Sequence, residues 1–194
     1  VTGRLVTPAG ESKTVWHLPD EAPVAILYNG GQFAVMMATA QDIEDFATGF
    51  SLTEGIADTI ADIEDIRIAE AADGMIVNIR IDPAKLERAE GRRRTLTGRS
   101  GCGLCGAQSL DAVMQPLRKV KTVKPSAEAV EAALAGLRAL QPMNALNKST
   151  HAAGFAAMDG SIKLVREDIG RHNALDKLIG AMARQGIDAQ SGFL

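Results

Sequence analysis

Cysteine is almost missing from this 194-residue chain: Cys102 and Cys105 are the only two. Two thiols cannot build the disulfide framework that staples small secreted domains, so a reducing, cytoplasmic setting is expected. No apolar run approaches the roughly 18 residues that a bilayer span requires, and no signal peptide is recognisable, so no membrane association is expected. An excess of basic charge is also missing: 21 Lys and Arg stand against 24 Asp and Glu, a net charge of −3. That balance argues against a dedicated nucleic-acid binder. The three histidines, His17, His151 and His172, stand singly, and there are no internal repeats. The chain opens on Val1 rather than methionine and closes on the apolar stretch SGFL, which gives the expectation of a fragment.

What is present is ordinary for a globular protein. Hydrophobic residues make up 46% and charged residues 23%, enough for one large domain or two small ones with proper cores. Residues 1–20 show little periodicity and read as a strand or loose arm. EAPVAILYNGGQFAVMMAT then reads as two strands around Asn29-Gly30-Gly31, residues that tolerate the positive φ of a tight hairpin. Thr39 and Asp42 resemble a capping box that opens a helix over 40–54, with Ile43, Phe46, Ala47 and Phe50 on one face. IRIAEAADGMIVNIRI predicts a second hairpin turning at Asp73-Gly74. The first 90 residues therefore form an α+β unit.

Charge then changes character. Residues 42–73 carry ten acids against the single base Arg67, whereas residues 80–99 carry seven bases against three acids. The acidic stretch reads as a solvated face, with docking of a basic partner as the alternative. The shift, flanked by Gly91 and Gly98, marks a linker. Beyond it, Ser109 caps a helix bearing Leu110, Val113, Met114 and Leu117, which Pro116 kinks or ends. Ser126 opens another helix, with Val130, Leu134 and Leu137 on one face, that stops before Pro142. HAAGFAAMDGSIKLVRED predicts a third hairpin over Asp159-Gly160. It leads into a helix carrying Ala174, Leu175, Leu178, Ile179 and Met182. The second half reads as an α/β layer.

The two thiols sit in RSGCGLCGAQS, among Gly101, Gly103 and Gly106. Structural zinc needs four ligands, and neither a second Cys pair nor a close His pair is available, so no metal is expected. A zinc deaminase needs H-x-E before P-C-x-x-C, but His151 is followed by two alanines and Gly101 stands in the proline position. A thioredoxin-like exchanger places its pair between strand and helix, and this loop is far looser. Two inert buried thiols are the plainer reading. Glycine flanks, with Arg92–Arg94 and Arg99 nearby to stabilise a thiolate, point instead to a mobile sulfur carrier.

LVREDIGRHNALDKLIGA sends an apolar strand into Arg166, Glu167, Asp168, Arg171, His172 and Asn173 before a helix begins. Ligands in α/β proteins collect at the carboxyl ends of strands near helix N-termini. Asp168, Arg171 and His172 offer a carboxylate, a fork of donors and a titratable ring there. The competing reading is a structural cluster in which His172 pairs with Asp176.

Taken together, YNGGQFAVMMAT, DIEDFATGFSLTEGI, TGRSGCGLCG and VREDIGRHNALDKLIGA resemble the formate dehydrogenase accessory sulfurtransferase family, often called FdhD, from about Glu21 to Leu194. The resemblance implies an α/β (mixed α+β) fold. A small N-terminal α+β domain (1–95) would be joined by a mobile Cys-x-x-Cys loop (96–108) to a cytidine-deaminase-like α/β/α domain (109–194) lacking its C-terminal segment. It implies a sulfurtransferase that accepts persulfide sulfur from a cysteine desulfurase. The sulfur passes to the molybdenum bis-guanine-dinucleotide cofactor of formate dehydrogenase, and members are expected to dimerise. By motif position Cys102 bears the persulfide and Cys105 is its partner. Strand-end geometry offers Arg166, Asp168, Arg171 and His172 as the cofactor-binding set. A non-catalytic chaperone of formate dehydrogenase is the alternative.

Overall fold

The computed structural model describes residues 1–87 and 124–194. The arm with Cys102 and Cys105, the arginines at 92–94 and 99, and the helix expected from Ser109 lie outside the described residues. So do the boundaries placed at 95 and 108.

Strands β1 (Thr2–Thr7) and β2 (Gly10–Val15) form a separate two-stranded antiparallel ribbon, so of the strand or loose arm expected over residues 1–20 the structure has strand, folded as a hairpin. Strands β3 (Ala22–Tyr28) and β4 (Gly31–Ala38) follow. Their turn rests on Asn29 and Gly30, at φ 51° and 83°, the left-handed pair that a two-residue hairpin loop demands. Helix α1 (Ile43–Thr53) comes next, then β5 (Ile63–Ala71) and β6 (Gly74–Ile81). The four strands form one sheet in the order β4-β3-β6-β5, with β3 and β6 parallel and the other pairs antiparallel.

Period-two alternation puts Val24, Ile26, Tyr28, Val77, Ile79 and Ile81 on one sheet face, all buried. Helix α1 lays Ile43, Phe46, Ala47 and Phe50 over that face, as their spacing predicts. Tyr28 and Phe33 meet edge to face, with centroids 5.2 Å apart. Each such side chain contributes about 1.5–3 kcal/mol of burial.

In the second half, α2 (Ala127–Ala139) is capped by Ser126, whose hydroxyl accepts from the Ala129 amide. A short helix α3 (Pro142–Asn147) follows, which the sequence reading missed. Helix α2 stops before Pro142, as expected, and Pro142 itself starts α3, because a first-turn residue needs no amide hydrogen. Strands β7 (His151–Ala157) and β8 (Ile162–Asp168) form the third expected hairpin, and α4 (Arg171–Arg184) and the two-residue β9 (Gly192–Phe193) complete a sheet ordered β8-β7-β9. Adjacent residues of β7 face opposite sides. Gly154 lies against Leu137 of α2, while Phe155 packs with Leu178 and Met182 of α4. The sheet is thus sandwiched between helices, an α/β/α layer.

Helices α1 and α4 pack directly together. A Cβ on Gly49 would run into the Asp176 carbonyl, and one on Gly180 into the Asp45 carbonyl. The two halves of the chain are therefore joined by a backbone-to-backbone crossing that only glycine permits.

Candidate functional site

The end of β8 and the first turns of α4 form the focus of the molecule. Asp168 is wholly enclosed. Its Oδ2 accepts from the Thr39 amide (3.0 Å) and the Thr39 hydroxyl (2.9 Å), and lies 2.7 Å from Lys177 Nζ. Its Oδ1 accepts from the Gly170 amide (2.8 Å) and Asn173 Nδ2 (3.1 Å). Lys177, also wholly buried, donates to the Thr39 carbonyl (3.1 Å) and hydroxyl (2.7 Å), while Asn173 donates to the Met37 carbonyl (2.7 Å). One carboxylate thus ties the exit of β4, the end of β8 and the first two turns of α4.

Burial by itself pushes the Asp168 carboxyl up. The Lys177 ammonium and the Gly170 and Thr39 amides outweigh it and hold the group below the ordinary carboxylate range. Thr39 therefore does not form the capping box expected for α1. Asp42 precedes that helix in left-handed backbone, at φ 55° and without a side-chain cap, and the Thr39 hydroxyl serves the buried pair instead.

Arg166 Nε donates to Asp45 Oδ2 (2.8 Å), and its Nη2 lies 2.7 Å from the same oxygen; Asp42 is 3.6 Å away. Arg184 reaches Asp45 Oδ1 and also Glu44. The buried Asp45 carboxylate is thereby clamped from β8 and from the far end of α4. Glu167 faces the other way: its two oxygens accept from the Met143 and Asn144 amides and satisfy the start of α3.

The four residues placed at this strand end by sequence therefore divide. Arg166 and Asp168 are engaged with partners inside the fold, whereas Arg171 and His172 are exposed on the first turn of α4, beside its N-cap Gly170. His151, at the start of β7, is the cross-strand neighbour of Asp168 and is exposed at the same end. Asp176, weighed as a partner for His172, accepts from the Thr53 hydroxyl (2.9 Å). Cys102 and Cys105 lie outside the described residues.

Thr39, Asp45 and Lys177 were missed as constituents of this centre. A signal existed for Lys177, because it falls on the apolar stripe of α4 between Ala174, Leu178 and Ala181. A lysine on such a stripe needs a buried counter-ion. Thr39 carries no comparable signal.

Among the described residues there is no group of three or more His, Cys, Asp or Glu side chains that could hold a metal ion, and no helix is long and apolar enough to cross a membrane.

Residues 19–194 match the model of the FdhD/NarQ family. The chain is 51% identical over 174 residues to the sulfur carrier protein FdhD of Xanthomonas oryzae pv. oryzae, covering 89% of this chain and 62% of that protein. It is 46% identical over 195 residues to the sulfur carrier protein FdhD of Bordetella petrii, covering 100% of this chain and 69% of that one. The chain thus spans somewhat under two thirds to just over two thirds of these curated relatives. In fold it is similar to the crystal structure of a candidate formate dehydrogenase accessory protein from Desulfotalea psychrophila, with a TM-score of 0.70, 18% identity and 99% of this chain covered against 70% of that one.

Proposed function

Because the chain belongs to the FdhD/NarQ family, we propose that it carries sulfur for formate dehydrogenase, with Cys102 as the persulfide-bearing residue. The observation that carries this reading is identity of 46% to 51% with proteins named as sulfur carriers. In the first step the Cys102 thiolate attacks the terminal sulfur of a persulfide on a cysteine desulfurase. A new S–S bond forms on Cys102, the donor's S–S bond breaks, and the donor cysteine leaves as a thiolate. The arginines at 92–94 and 99 are close enough in sequence to hold the resulting persulfide as an anion.

The acceptor, and so the second substrate of the transfer, is the molybdenum bis-guanine-dinucleotide cofactor. Its phosphates suit Arg171 and His172, which stand exposed on the first turn of a 14-residue helix whose N-cap is glycine. A guanidinium fork, an imidazole and the positive end of a helix form a donor set for phosphate. Arg166 and Asp168, placed with them by sequence, act from behind by holding that strand end. Cys105 serves as a relay or guard for the sulfur. The cytoplasm, a homodimer, and partnership with the desulfurase and the dehydrogenase complete the reading, and what supports them is the family likeness.

The test is intact-mass measurement of the chain after incubation with a cysteine desulfurase and free cysteine. A gain of about 32 Da on Cys102, reversed by dithiothreitol, is expected. No adduct on either cysteine overturns the proposal.

A further inference from the structure

The enclosed pair Asp168–Lys177 lies immediately behind the exposed turn that carries Arg171 and His172. Asp168 grips the Gly170 amide and the Asn173 side chain, so it holds both ends of the four-residue segment 170–173. Lys177, one turn further along α4, anchors the same carboxylate. Among the described residues, the only side chain outside this strand-helix corner that hydrogen-bonds to either charge is Thr39, whose hydroxyl accepts from Lys177 (2.7 Å) and donates to Asp168 (2.9 Å). Thr39 stands at the exit of β4, in the other half of the molecule. The Met37 carbonyl adds a second anchor from β4, through Asn173.

From this geometry we infer that Thr39 is a positioning residue: its hydroxyl, threaded between Lys177 and Asp168, sets the orientation of the first turn of α4 and hence of Arg171 and His172. The inference rests on the reading of those two residues as phosphate contacts, and it deepens that reading by naming what aims them. A threonine hydroxyl is suited to the task because it donates and accepts at once. Replaced by a methyl group, it leaves Asp168 one donor short and Lys177 one acceptor short inside a dry interior, and the turn must shift to compensate. A purely space-filling role for Thr39 would be satisfied by valine, which has nearly the same shape.

The experiment uses the full chain, guanosine diphosphate as the probe, and the ring-proton signals of its three histidines. Thr39→Val is expected to weaken binding of the probe by about tenfold, to move the His172 signal, and to leave exposed His17 unmoved. Thr39→Ser, which restores the hydroxyl, is expected to return both binding and the His172 signal to the parent values. If Thr39→Val binds the probe as the parent does and its His172 signal stays in place, the inference is overturned. Failure of the underlying reading looks different: Arg171→Ala and His172→Ala would then bind the probe undiminished, while Thr39→Val still moved the His172 signal. If serine fails to rescue what valine destroys, the hydroxyl is not the positioning group, which also overturns the inference.

Discussion

Asp168 and Lys177 form an ion pair, 2.7 Å apart, with both side chains at 0% exposure. Such a pair is costly to break from one side, because the survivor is left charged and dry. Its neighbours from β4 and α4 satisfy the remaining donors and acceptors, so no buried side-chain polar atom among the described residues is left without a partner.

Removing one partner of this pair should therefore hurt far more than removing both. Lys177→Met alone is expected to destabilise the chain by about 3–5 kcal/mol, and the combination with Asp168→Asn should recover most of the loss. Urea unfolding of the two variants decides it. Equal destabilisation of the single and the double variant would show that the pair is not coupled as described.

Acid should release the same element. The folded-state value of Asp168 is held down, so its stabilisation is complete above the unfolded aspartate value of about 3.9 and is lost as pH falls through the depressed folded value. Asp62 acts in the same direction, pushed down to about 2 by Lys85 and by the Thr59 amide. Unfolding free energy is expected to decline steeply on the acid side, and less steeply in the double variant Asp168→Asn/Lys177→Met. Identical slopes for parent and variant would remove Asp168 from the account.

The helix crossing gives a packing test. Gly180→Ala forces a methyl group against the Asp45 carbonyl, and a cost of about 1–3 kcal/mol or more is expected because backbone cannot yield as a side chain does. Gly3, with nothing within 4 Å of a new Cβ, is the control: Gly3→Ala should leave the melting temperature nearly unchanged. Differential scanning calorimetry of the pair reads the contrast.

Chemistry and chaperoning part at Cys102. Cys102→Ala is expected to abolish sulfur transfer and leave formate dehydrogenase inactive, whereas Cys105→Ala reports whether the second thiol relays or guards. An active dehydrogenase matured with Cys102→Ala would favour the chaperone reading.

Most of the fold was legible in sequence because it is written in local signals. Asn29-Gly30, Asp73-Gly74 and Asp159-Gly160 mark three hairpins, and the spacing of Ile43, Phe46, Ala47 and Phe50 marks the buried face of α1. Helix α3 was missed because Pro142 serves equally as a stop or a start, and only the Glu167 side chain at its first turn decides. The strand-end cluster was located but not resolved into inner and outer members. Arg166 and Asp168 look as polar in sequence as Arg171 and His172, and what separates them is Asp45, Thr39 and Lys177, contacts no periodicity reports. Spacing put Val130, Leu134 and Leu137 on one face of α2, and in the described residues Val130 and Leu134 are 37% and 60% exposed, while Ala129 and Ala133 are buried. A run of alanines lets either stripe turn inward, so spacing alone could not choose.

Thr39 and Lys177 meet although 138 residues separate them along the backbone. At ribosomal speeds of about 5–20 residues per second, the growing chain holds its hairpin exit ready for roughly 7–28 seconds before the lysine that completes the corner has even been made. The aspartate arrives shortly before that lysine. Closure of the two halves thus waits for that lysine, and the turn that presents Arg171 and His172 acquires its final shape only then.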